Sequence, residues 1–144
     1  MKGKKVMLNL LLNKVKSKKI ITPDMFIDKD IFKLLDLRDE IAFDSAWMTA
    51  FYKVEGQCVA EEIKPIIDKI RECSFLCAYD ASNSDEIASC VSDDFELLTK
   101  CYILGVNDFW LNSVILSYSN HIFPCGIIKP VHVSVDEAIK QLVC

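Results

Sequence analysis

The sequence predicts a mainly α-helical protein, a single domain over residues 1–144 built as a bundle of six to eight helices. It leaves room for one small β element near residues 74–79, 87–91 or 127–133. Three observations carry this reading. The chain has 144 residues, which fills one hydrophobic core and would leave two cramped. Hydrophobic residues make up 51% of it, enough apolar surface to exclude intrinsic disorder. It holds only 4 Gly and 4 Pro, too few for a turn-dense barrel or sandwich.

The elements follow in order. Residues 1–19 form a basic amphipathic first helix, about Lys4 to Lys18, with a leucine face toward the core and solvated lysines. Thr22-Pro23-Asp24 has N-cap chemistry: a capping hydroxyl, proline at the first helical position and an acid in the first turn. A short helix over Pro23–Ile27 either runs into Asp28–Leu35 or breaks before it. Arg38 to Val54 reads as one long helix, because Ile41, Phe43, Ala46, Trp47, Ala50, Phe51 and Val54 make a wide apolar stripe, and Gly56 ends it. From Gln57 a second long helix is predicted, with Pro65 starting or kinking a turn within it. Residues 74–79 fit either a helix end or a buried strand, and Asp80–Asp85 is the most loop-like stretch.

Residues 87–91 are equally open. Ser92-Asp93-Asp94 reads as the N-cap of a helix to about Leu104, closed by Gly105. Asn107-Asp108 caps the next helix, from Phe109 to about Tyr118. Residues 127–133 contain Pro130 and look extended. Ser134 and Glu137, three apart, form a capping box before a final helix through Val143.

Seven cysteines, an odd number in a chain large enough to build its own core, read as buried, reduced thiols of a cytosolic protein. Cys58, Cys73, Cys77, Cys90 and Cys101 all have apolar neighbours. The N-terminal lysines and leucines mimic a signal peptide. Asn9 and Asn13 break the apolar run, further lysines follow at once, and no small-residue cleavage site appears. The run is far below the roughly 18 residues of a membrane span, so no stable membrane insertion is expected.

No catalytic or cofactor signature stands out. Gly3, Gly56, Gly105 and Gly126 stand singly, so no phosphate-cradling loop is encoded and no cofactor is expected. Cys73 and Cys77 share a helix face, but zinc would also need His121 and His132, which are too far apart in sequence for a finger, so no metal is expected. A nucleophile–base pair for a small cytosolic enzyme is formally available, for example Cys125 with His121 or His132.

Charge layout is more informative than the net charge of −4. Residues 1–19 hold seven lysines and no acid, whereas Glu72–Cys144 holds ten acids and three basic residues. Asp80, Asp85, Glu86, Asp93, Asp94 and Glu96 follow one another without an intervening Lys or Arg. An acidic chain is unsuited to nucleic acid, whose binding depends on cations neutralising phosphates. Six clustered carboxylates instead read as a docking surface for a cationic protein, with Tyr79, Phe95 and Trp110 as anchors, or as a solvated face with two caps.

Val91-Ser92-Asp93-Asp94-Phe95-Glu96-Leu97-Leu98, with Gly105, Trp110-Leu111, Tyr118 and Phe123-Pro124-Cys125-Gly126 after it, resembles small bacterial cytosolic toxin-immunity proteins, including those of contact-dependent growth inhibition systems. The resemblance covers about residues 91–126. It implies a non-enzymatic protein that binds a cognate, basic toxin domain and blocks its active site, with the six carboxylates as the partner-binding residues. The alternatives from other classes are the Cys/His enzyme and an adaptor whose basic first helix touches a membrane or a protein.

Overall fold

The computed structural model describes residues 2–144, which form seven α-helices and no strand among the described residues. They are α1 (Lys2–Lys16), α2 (Ile31–Asp39), α3 (Ile41–Val54), α4 (Lys64–Ser82), α5 (Asp85–Leu104), α6 (Phe109–Ser119) and α7 (Val135–Val143), with a 3-10 turn at Pro23–Met25. The helical class and the number of helices agree with the sequence reading. The small β element does not form.

The central pair is α4 and α5, packed along each other and joined only by Asn83 and Ser84. Asn83 sits in the left-handed region at φ 56°, and the Ser84 hydroxyl accepts the Ile87 amide at 3.2 Å. The loop expected at 80–85 is therefore two residues long. Ile67, Ile70, Ser74, Cys77 and Ala78 are buried on α4 at helical spacing, so 74–79 continues the helix instead of forming a strand. Residues 87–91 are helical for the same reason. Ile87, Ala88, Val91, Phe95, Leu98 and Cys101 form one unbroken buried stripe, and it runs straight through Ser92-Asp93-Asp94. That triplet lies inside the helix, and the N-cap is Ser84.

The predicted helix 38–54 is two helices, parted at Glu40, whose backbone is extended at φ −65° and ψ 147°. Five residues on a straight helix differ by about 140° in direction, so Arg38 and Phe43 could not both face the core. The break brings the Arg38 guanidinium 4.3 Å from the centre of the Phe43 ring. Ile41, placed on the apolar stripe by its spacing, is 84% exposed at the break. Thr22 makes no capping bond, and α2 starts instead from Asp30, whose carboxylate accepts the Phe32 and Lys33 amides. Pro65 opens α4 in its first turn, so that helix starts at Lys64 and not at Gln57.

Asp108 caps α6 by accepting the Leu111 amide at 2.8 Å, and Ser134 caps α7 by accepting the Glu137 amide at 3.1 Å. Between them, residues 127–133 form an extended tether and not a strand. Ser113 Oγ donates to the Lys129 carbonyl, Asn112 Nδ2 donates to the Val133 carbonyl, and the Val131 amide donates to the Phe109 carbonyl.

The first helix is part of the bundle. Leu8, Leu11 and Val15 are fully buried, each contributing about 1.5–3 kcal/mol by leaving water. Two of its lysines close other helices. Lys4 Nζ donates to the Tyr102 carbonyl at 2.6 Å at the end of α5, and Lys14 Nζ donates to the Leu142 carbonyl at 2.8 Å at the end of α7. A cation at a helix C-terminus meets both orphan carbonyls and the negative end of the dipole.

Candidate functional site

The site is organised by a buried polar centre. Asp94, wholly enclosed on α5, accepts four hydrogen bonds. Arg38 donates Nη1 to Oδ2 at 2.8 Å and Nη2 to Oδ1 at 2.9 Å, Trp47 donates its indole N–H to Oδ1 at 2.9 Å, and Tyr118 donates its hydroxyl to Oδ2 at 2.6 Å. Arg38 also donates to the Pro124 carbonyl at 3.2 Å. Four helices are tied to one carboxylate, and Arg38 links the 123–125 segment to it. Burial works against the Arg38 charge, and Asp94 more than offsets it, holding the guanidinium above its ordinary pKa. Burial foremost, then Asp94, keeps the Tyr118 hydroxyl protonated.

This centre fixes the floor of a surface trough between α3 and α5. Trp47 and Phe51 lie one helical turn apart and stack at 5.7 Å with their planes 13° apart. At one end Arg38, Asp39, Asp44, Cys90 and Asp93 join Trp47 around a depression of roughly 200 Å³, the Arg38 charge being neutralised from below by Asp94. Trp47 and Asp93 also line the next part, of roughly 250 Å³, together with Phe51, Glu55 and Glu96. Glu96, Lys100 and residues 56–57 continue it to a wider hollow of roughly 400 Å³ beside Lys64 and Asp68. Asp39, Asp44, Glu55 and Asp68 have no cationic nitrogen within 4.0 Å among the described residues.

The six carboxylates singled out in the sequence fall into three groups. Asp80, Asp85 and Glu86 are exposed around the α4–α5 turn, with no cationic nitrogen within 4.0 Å among the described residues. Asp93 and Glu96 lie on the trough. Arg71 of α4 reaches Asp93 at 3.7 Å and Glu96 at 3.2 Å, while Lys100 reaches Glu96 at 3.7 Å. The gap in basic residues along the sequence is thus partly closed in space. Burial foremost pushes the Asp93 carboxyl above its usual range, and Arg71 opposes this. Asp94 faces inward, so in this structure it supports the surface and does not line it. Of the aromatic anchors, Tyr79 is 45% exposed, whereas Phe95 and Trp110 are core residues.

The cysteines divide as well. Cys77 and Cys101 are buried, while Cys58 and Cys144 are exposed, against the expectation that all seven are enclosed. Cys77 donates to the Val15 carbonyl at 3.3 Å. Burial raises the pKa of the Cys125 thiol, and no hydrogen bond joins it to either histidine among the described residues. His121 Nδ1 lies 3.1 Å from the Ile20 carbonyl oxygen, and His132 rests against Phe109 with ring centres 5.4 Å apart. Among the described residues no three His, Cys, Asp or Glu side chains are grouped to hold a metal ion. No helix there is long and apolar enough to cross a membrane.

Sequence spacing does not single out Asp39, Asp44 or Glu55, and it places Trp47 and Phe51 only on the core stripe. The signal for the first two is their place around a helix break, which spacing alone conceals. The model of the family described as immunity protein PIM1 matches residues 10–125. No curated protein matches the chain.

Proposed function

The chain belongs to the immunity protein PIM1 family, and from this we propose that it binds a cognate bacterial toxin domain in the cytosol and blocks its active site, without catalysis of its own. Family membership over residues 10–125 is the observation that carries the reading. The surface charge supports it. Asp80, Asp85 and Glu86 at the α4–α5 turn, and Asp93 and Glu96 beside them on α5, form the acidic contact face of this proposal. Toxin domains that act on nucleic acid need basic clefts to hold phosphates, and surface carboxylates occupy such a cleft through charge-assisted hydrogen bonds to Arg and Lys. Contact-dependent growth inhibition is the delivery system we assign to that toxin.

The test is growth of a bacterial host producing a candidate toxin domain, taken from the reading frame adjacent to this chain's, alone and together with it. The expected result is arrest by the toxin alone, recovery when the chain is co-produced, and co-purification of the two. Continued arrest with abundant folded chain overturns the reading.

A further inference from the structure

We propose that the trough between α3 and α5 seats an arginine side chain of the partner, laid on the Trp47–Phe51 pair and met at the rim by Asp39, Asp44 and Asp93. This rests on the immunity reading and adds to it the place and the chemistry of contact, away from the more obvious acids at the α4–α5 turn.

Three features argue for it. The Trp47 indole N–H is already satisfied by Asp94 at 2.9 Å, so the ring surface lining the trough needs no hydrogen bond and is free for stacking. The ring cannot swing away without stranding that bond, so the aromatic floor exists before any partner arrives. Asp39 and Asp44 have no cationic nitrogen within 4.0 Å among the described residues, and Arg38, which lines the same depression, is already neutralised by Asp94, so the Trp47 end of the trough keeps an excess of negative charge. Asp93, 57% exposed at the same end and 3.7 Å from Arg71, adds a third carboxylate to that rim.

Arginine suits this combination better than lysine. Its guanidinium is planar and weakly hydrated, stacks on aromatic rings and takes carboxylates in a fork, whereas an ammonium is compact and strongly hydrated. The two parts lined by Trp47, roughly 200 and 250 Å³, are on the scale of single side chains and too small to admit a helix.

The experiment uses terminally blocked hexa-arginine and hexa-lysine peptides titrated into the full chain, read by NMR at the Trp47 indole and the backbone amides. The expected result is shifts centred on Trp47, Phe51 and Asp44, with hexa-arginine binding about tenfold tighter than hexa-lysine. The double variant Asp39→Asn/Asp44→Asn weakens hexa-arginine by about fivefold, while Asp85→Asn/Glu86→Asn leaves it unchanged. An unchanged Trp47 indole signal in the free variants shows that they fold. Equal affinity for the two peptides, shifts confined to the α4–α5 turn, or an unaffected Asp39/Asp44 variant would overturn the inference. Growth protection by the chain together with any of these results removes the trough assignment and leaves the immunity reading standing. Trough binding without growth protection removes the immunity reading alone.

Discussion

Arg38 of α2 and Asp94 of α5 meet as a closed bidentate pair, 8% and 0% exposed, 56 residues apart in sequence. A buried ion pair adds little over well-packed apolar groups, but breaking one side leaves the other charge stranded. Asp94→Asn also weakens the acceptor used by Trp47 and Tyr118. The expected cost is about 3–5 kcal/mol, seen as a lower urea midpoint, with loss of tertiary signals before helix content. A loss below about 1 kcal/mol would show that this centre does not hold α2 and α3 in place.

Ser84 is the N-cap of α5. Ser84→Ala should cost about 1 kcal/mol and speed hydrogen exchange at the Ile87 amide, which donates to the Ser84 hydroxyl. If Ser92 were the true cap, the amides of Asp94 and Phe95 would respond instead.

Asp93 contributes one pH-dependent component. Burial raises its carboxyl pKa in the folded chain above the ordinary carboxylate range, and Arg71 opposes this, so on balance folding favours the protonated form. Its contribution to stability is therefore present at low pH and lost as pH rises through the folded pKa. Asp93→Asn removes this titration. The variant should have the higher urea midpoint at about pH 7, with the gap closing by about pH 3. A lower midpoint at neutral pH would mean that the 3.7 Å contact with Arg71 outweighs desolvation.

Thiol exposure gives a separate check. Cys58 and Cys144 are exposed, whereas burial pushes the Cys101 thiol up to about 12. Native-state labelling with a thiol reagent, located by peptide mass, should modify Cys58 and Cys144 first and Cys101 only on unfolding. Early modification of Cys101 would contradict its packing in the core.

Helical class was legible because it depends on short-range information: few glycines and prolines, apolar spacing, and caps such as Asp108 and Ser134 that act within three residues. The misread elements share one cause. Ser92-Asp93-Asp94 has cap chemistry, and nothing local shows that Asp94 has a guanidinium, an indole and a phenol waiting for it from three other helices. Tertiary partners made an interior carboxylate acceptable, and the helix continued through it. The break at Glu40 is equally invisible to local pattern, and beside it Arg38 reaches that carboxylate. The trough followed neither from spacing nor from charge runs. Its rim comes from α2, α3 and α5 and its floor from a turn of α3, a meeting that only packing creates. The amphipathic pattern predicts solvated lysines on the first helix, yet Lys4 and Lys14 end on the carbonyls of α5 and α7, contacts across about a hundred residues of chain.

The association rate constant of the purified chain with the toxin domain it protects against, measured by stopped flow across a salt series, tests the central claim most directly. Electrostatically steered binding through the acidic face predicts fast association at low salt that falls steeply as ionic strength rises. Charge reversal at Asp85 and Glu86 should slow it and flatten the salt dependence. A rate constant indifferent to salt and to both reversals, or no complex at all, would contradict the account.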